Sequence, residues 1–303
     1  QYFMNMEIER YSLLKGESVF VGMNKKFKLA AYWFIVSTFI GFGIPGIIAA
    51  SAKVFSHLFG LSDHRFMAIG FLALIGIILS SGKTVYGMME KITKNILLIG
   101  TPLIFIMVLI IASFSDWTTL LKGLIGIGEV ISSNPQGYFF LPFGITLATF
   151  LAAFAYAGAG GNLNLTQSIY VKEKGYGMGK YSQKMSGLFR HHKSQEIKLE
   201  GQECDYSKKS ISNFRKWWRL VSFEHLIVFW LIGFLTMSFL MLLSYTTAFN
   251  QVNAQSADIS FVLTQSIQIG KILSPIFGTI FLIAVIIMLF QTQLGVLDST
   301  SRI

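Results

Sequence analysis

Six apolar runs divide the chain, each bounded by basic or amide-rich segments. They are Leu29–Ala52, Met67–Ser81, Ile96–Phe114, Phe139–Tyr170, Leu220–Phe249 and Ile276–Leu297. About 20 apolar residues in a helix cross the ~30 Å hydrocarbon core of a bilayer, and most of these runs reach that length. The second run is short and spans if Arg65 and Lys83 snorkel toward the headgroups. The pattern predicts an all-α, polytopic transmembrane bundle forming one membrane domain. Residues 1–28 read as the polar end of a truncated helix and a cytoplasmic segment. Four spans occupy 29–170, a basic loop 171–219, and two further spans 220–303. The whole reads as a fragment of a longer protein.

Composition agrees with this pattern. Hydrophobic residues make up 53% and charged residues 13%, where an average soluble domain carries roughly 25% charged. Of the 25 Lys and Arg residues, 21 fall on the side that holds residues 1–28, and 4 on the other. The excess of Lys and Arg marks the cytoplasmic side, so the 171–219 loop is expected to be cytoplasmic. The net charge of +10 is spread over these loops, which argues against a nucleic-acid partner. One cysteine, Cys204, rules out an intrachain disulfide.

Several local features change the picture only slightly. Gly41-Phe-Gly-Ile-Pro-Gly46 predicts a kink in the first span, and Pro102 one in the third. Glu90 and Lys94 have the i, i+4 spacing of a helical ion pair, as do Asp298 and Arg302. Lys216-Trp-Trp-Arg219 reads as an interfacial anchor. Glu224 and His225, just beyond it, are either functional or an interfacial ion pair. Val171–Arg219 reads as a mobile loop, and its His191, His192 and Cys204 lack zinc-site spacing. Gln291, Gly295, Asp298 and Arg302 form a polar stripe, with Gln291 and Gly295 as cavity-lining positions.

The most informative stretch is Ala155–Ser168, inside the fourth run. Gly158, Gly160 and Gly161 are followed by Asn162, Asn164, Thr166 and Gln167. Glycine disfavours helix by about 1 kcal/mol relative to alanine, and irregular backbone at membrane depth survives only beside protein or a water-filled cavity. The stretch is therefore a packing seam of small residues or a helix break with freed carbonyls and amide oxygens. Spacing leaves both open.

No phosphate loop, nucleophile elbow, His-Glu-x-x-His or dinucleotide fingerprint occurs in the chain. Nothing calls for a cofactor, and catalysis is disfavoured. Translocation remains: transporters bind substrates at discontinuous helices near the midplane, and carbonyl and amide oxygens suit hard cations.

Ala157-Gly-Ala-Gly-Gly-Asn-Leu-Asn-Leu-Thr-Gln-Ser168, followed by Tyr170-Val-Lys-Glu-Lys-Gly-Tyr-Gly-Met-Gly179, resembles the sixth helix and following loop of Nramp-type divalent metal transporters. A divergent bacterial branch is the nearer likeness. Glu7-Ile-Glu-Arg-Tyr-Ser-Leu-Leu-Lys-Gly-Glu17 is similar to the end of the family's second helix. Met89-Glu-Lys-Ile92 resembles its fourth-to-fifth connector, and Gln293-Leu-Gly-Val-Leu-Asp-Ser-Thr300 part of its eighth helix.

The resemblance implies a LeuT-like inverted repeat of five plus five helices, here from part of helix two to helix eight, broken at Ala157–Asn164. The family's Met-Pro-His falls on Gly160, Gly161 and Asn162, or one residue earlier on Ala159, Gly160 and Gly161. The family's acidic third-helix positions fall near Ile44 and Ile47. Losing the soft thioether favours a hard cation such as Mg²⁺ over Mn²⁺ or Fe²⁺, and losing the titratable groups disfavours proton coupling.

The expected ligands, direct or through water, are the Ala157 and Gly158 carbonyls and the Asn162 amide, with Asn164 in support. The expectation is a secondary transporter of divalent cations in a bacterial cytoplasmic membrane, Mg²⁺-selective and uncoupled from protons. The alternatives are a proton-coupled Mn²⁺ or Fe²⁺ transporter, an amino-acid or other organic-solute carrier of the same bundle, and a non-transporting receptor or scaffold. The sequence leaves oligomeric state open.

Overall fold

The computed structural model describes residues 1–43, 46–81, 85–127, 147–148, 150–151, 160–184, 198–248 and 259–303. Every regular element among them is helical. In chain order they are α1 (Tyr2–Lys15), α2 (Val19–Lys26), α3 (Ala30–Phe42), α4 (Gly46–Leu58), α5 (Arg65–Ser81), α6 (Val85–Ile111) and α7 (Phe114–Leu124). Then come α8 (Asn162–Leu165), α9 (Gln167–Lys174), a 3-10 turn (Gly177–Tyr181), α10 (Lys208–Glu224) and a π-helical segment (His225–Leu231). The chain ends with α11 (Ile232–Thr247), α12 (Ser260–Ile272) and α13 (Pro275–Thr300).

Among the described residues, four helical stretches are long and apolar enough to cross a membrane: Ala30–Leu58, Gly87–Ile111, Lys208–Thr247 and Pro275–Thr300. These are compatible with an integral membrane protein. Two of the six expected spans differ. Arg65–Ser81 is a shorter apolar helix, and most of Phe139–Tyr170 lies outside the described residues, as does the Ile44–Pro45 step of the predicted kink. Large apolar side chains such as Trp33, Phe39, Ile40, Phe66 and Ile99 stand on the outside of the helices. An outward apolar surface is what lipid requires of a spanning helix.

The centre of the bundle is α13, which packs against α4, α6 and α12. Val54, Met107, Val108, Leu242, Leu243, Ile269, Phe281 and Leu282 form the main core around it. Small residues let the axes approach where no bulky side chain intervenes. Ser51 Oγ of α4 donates to the Ile286 carbonyl of α13 at 3.0 Å. A Cβ on Gly278 would stand 2.5 Å from the Ser266 carbonyl oxygen of α12.

α12 occupies a segment that reads as loop in the sequence. Its polar positions Gln265 and Ser266 are buried against neighbours, Gln265 donating to Ser244 at 2.7 Å and Ser266 to the Gly278 carbonyl at 3.0 Å. At 13 residues it reaches only about 20 Å at 1.5 Å per residue, too short to span.

A second, more polar layer joins α1, α9, the 3-10 turn and α10. Met6, Leu13, Val171 and Val221 form its apolar centre, with Phe214, Trp217 and Trp218 packed against it. The expected mobile loop is thus an ordered part of the fold over 171–184 and 198–219. Cys204 donates its backbone N–H to the Leu14 carbonyl at 2.9 Å, and Lys15 pairs with Glu203 at 2.6 Å. The first of these contacts uses one of α1's orphan C-terminal carbonyls. Residues 185–197, with His191 and His192, lie outside the described residues.

Candidate functional site

Within the stretch singled out in the sequence, helix begins at Asn162, directly after a non-helical Gly160–Gly161 step. Gly161 has φ 57° and ψ −131°, a region essentially reserved for glycine. Four residues of α8 follow, then Thr166, whose hydroxyl donates to the Leu163 carbonyl at 2.6 Å, then α9. Gly160 is buried and Gly161 exposed. Ala157, Gly158 and Ala159 lie outside the described residues.

Asn162 fastens the break to α3. Its Nδ2 lies 2.8 Å from Ser37 Oγ, 2.8 Å from Thr38 Oγ1 and 3.3 Å from the Phe34 carbonyl oxygen. An amide nitrogen has two hydrogens, so three acceptors share them and the side chain is held tightly. Its donors are therefore spent on α3, while an oxygen ligand would use the other end of the amide. Asn164 is 5% exposed, and its Oδ1 is buried with no hydrogen-bond partner among the described residues. Such an atom costs about 1–3 kcal/mol unless something donates to it or coordinates it.

A cavity of about 460 Å³ opens between α3, α5 and α13. Thr38, Gln293 and Thr300 are its polar lining, and Phe39, Phe42, Leu72 and Leu297 are among the apolar residues. Thr38 belongs to both the cavity wall and the Asn162 contact, so the break and the cavity adjoin. Gln293, 2% exposed, lines it from α13; the expected Gln291 and Gly295 are not among the lining residues. Gln291 donates to Thr93 Oγ1 of α6 at 3.1 Å, bonding two helices. A methyl on Gly295 would meet nothing within 4 Å.

Below the cavity the polar stripe of α13 ends in a buried charge cluster. Arg302 Nε lies 2.9 Å from Asp298 Oδ1, as the i, i+4 spacing predicts, and Nη1 lies 2.7 Å from Glu173 Oε1. The Tyr170 hydroxyl donates to Asp298 Oδ2 at 2.8 Å. The three charged side chains are at most 2% exposed.

Glu224 and His225 do not pair with each other, because adjacent helical residues point apart. Glu224 bonds Lys174 and also accepts from the Tyr176 hydroxyl at 3.0 Å. Burial pulls the Lys174 ammonium down, but Glu224 and Tyr176 outweigh it and the net direction is up. At the α1–α2 corner, burial pushes the Glu17 carboxyl up. Hydrogen bonds from Lys25, Tyr11 and the Gly201 N–H outweigh that, leaving it below its ordinary range.

Among the described residues no group of three or more His, Cys, Asp or Glu could hold a metal. A cation at this break would rely on amide and carbonyl oxygens. Sequence reasoning missed Thr38, Gln293 and Glu173. Thr38 and Gln293 lie in apolar helices, and Glu173's partner is 129 residues away. Only the amphipathic stripe of α13 pointed near Gln293. Comparison with family models, with curated proteins and with solved structures gave no match.

Proposed function

We propose that the chain is the core of a secondary transporter that moves a divalent cation across a membrane by alternating access. The carrying observation is the glycine-only backbone at Gly161, which stands beside a cavity and close to a buried amide oxygen of Asn164 that has no partner among the described residues. Oxygen donors without carboxylate, thioether or imidazole suit a hard ion held partly through its water, hence Mg²⁺ ahead of Mn²⁺ or Fe²⁺. In this reading the Ala157 and Gly158 carbonyls and the Asn162 amide oxygen contact the ion or its water, and Asn164 supports them. The Nramp-like inverted repeat, the uncoupled mode and a cytoplasmic 171–219 segment belong to the same proposal.

Uptake into liposomes tests it. Mg²⁺ influx that Asn164→Ala abolishes is the expected result. Absence of any divalent uptake, or Mn²⁺ influx untouched by excess Mg²⁺, would refute it. A second reading, an organic-solute carrier, is favoured by the Phe39, Phe42, Leu72 and Leu297 walls of the cavity. Solute uptake with no divalent uptake would select that one.

A further inference from the structure

α1 presents Asn5, Glu9 and Ser12 on one face, at i, i+4 and i+7, and all three are buried. The Ser12 hydroxyl donates to the Ser168 carbonyl at 2.7 Å. Glu9 meets two other elements. Its Oε1 accepts from Gln167 Nε2 of α9 at 2.8 Å and lies 3.3 Å from His225 Nδ1, the first residue of the π-helical segment. Both the Glu9 and His225 side chains are 3% exposed. Glu9 Oε2 and His225 Nε2 are buried with no hydrogen-bond partner among the described residues.

Among the described residues, no ion pair beyond that with His225 compensates the Glu9 charge. From α1, Tyr2 packs against the imidazole at a tilt of 43°, with ring centroids 5.4 Å apart, and its hydroxyl donates to the Ser222 carbonyl. From the π-helical segment, Phe229 stacks on it at 4.6 Å. Glu224 is engaged by Lys174 and Tyr176, and Glu173 by Arg302. Lys172, the remaining charged residue of α9, is buried and shows no ion pair with Glu9. Among the described residues, Glu9 has no ion-pair partner except His225.

A buried carboxylate beside a neutral imidazole carries an uncompensated negative charge, which a low-dielectric interior penalises heavily. One added proton removes it, whether the proton sits on the imidazole or the carboxyl. We propose that Glu9 and His225 form a buried proton-binding site that shares one exchangeable proton and joins α1, α9 and the π-helical segment. With the proton bound, the pair is neutral overall and the three elements stay docked. Without it, the anion draws water into the junction and loosens α1. The π-helical segment fits such a role, since single π turns in α-helices recur at functional positions, and this one sets the orientation of His225. The site lies apart from the cation break, and its test needs no transport, so the two readings stand or fall separately.

Infrared difference spectroscopy of the full chain in lipid, between about pH 5 and pH 8 where histidine changes charge, reads the proton directly. The expected wild-type spectrum contains a buried imidazole or carboxylic-acid band that changes with pH. The isosteric Glu9→Gln and the polar His225→Gln each remove it, and trypsin cleavage at Arg10 and Lys15 rises several-fold at the higher pH in the wild type only. Bands unchanged between the two pH values in the wild type would overturn the proposal. So would a band that survives in either variant. If His225→Gln fails to fold, Glu9→Gln and the wild type still decide it.

Discussion

Replacing Arg302 by methionine removes the cation that bridges Glu173 and Asp298. Methionine keeps much of the length and apolar stem of the side chain, so the loss is chiefly of charge and hydrogen bonds. Both carboxylates are at most 1% exposed and cannot turn to water. Breaking a buried pair by deleting one partner costs about 3–5 kcal/mol, because the remaining charge stays buried. The Tyr170 hydroxyl still donates to Asp298, so Glu173 bears most of the cost. At about 2–4 °C per kcal/mol for chains of 150–250 residues, the apparent melting temperature in detergent should fall by roughly 10 °C. Fluorescence-detected size exclusion after a temperature series measures it. The companion test is Arg302→Met with Glu173→Gln and Asp298→Asn, which removes all three charges and should recover more than half the loss. A fall of less than about 2 °C in the single variant, or no recovery in the triple one, would refute the assignment of the cost to stranded carboxylates.

Gly161→Ala should cost about 1–3 kcal/mol from backbone strain alone, since a methyl there meets no neighbour within 4 Å; thermal stability and cation uptake should fall together, and an unchanged melting curve would count against the break. Asn162→Ala should lose about 1–3 kcal/mol of bonds to α3 and raise hydrogen exchange in Phe34–Thr38, read by mass spectrometry. Gly278→Ala should wedge α12 from α13 at a cost of about 1–3 kcal/mol for overpacking, measured by the same melting assay. Glu17 gives a pH dependence with a definite sign. Its folded carboxyl sits below the ordinary range, so its contribution is complete above the unfolded value and is lost as pH falls through the folded one. Glu17→Gln should lower stability at neutral pH, where the carboxylate contribution is complete, change little at low pH, and so flatten that acid limb of the stability-versus-pH profile measured by the same melting assay.

The apolar runs at 29–52, 220–249 and 276–297 are readable because lipid demands composition, and composition is local. The helices then extend beyond the runs: α10 starts at Lys208 and α6 at Val85, since polar turns outside hydrocarbon keep the helix without keeping its hydropathy. The Asp298–Arg302 pair is readable for the same local reason, one helical turn of separation. The pairings of Glu173 with Arg302 and of Glu9 with His225 are not, because the partners lie 129 and 216 residues apart and only tertiary packing brings them together. α12 escaped notice because Gln265 and Ser266 look solvated in sequence, yet face Ser244 and Gly278. Gly161, with its positive φ, lies in the glycine cluster that stood out in the sequence, while Ala157, Gly158 and Ala159 fall outside the described residues.

The helix from Lys208 to Thr247 runs 40 residues, about 60 Å at 1.5 Å per residue, twice the hydrocarbon thickness. Its apolar half is long and apolar enough to sit in lipid, and its basic half carries Trp217, Trp218 and Val221 against α1. Such a rod works as a pointer. Rocking the apolar half by about 10° about its middle sweeps the Ser207 end through roughly 5 Å. That end is also where Cys204 and Gly201 reach the last turn of α1 and Glu17. A small change of tilt within the bilayer would therefore arrive outside it as a displacement large enough to slide one helical turn past another.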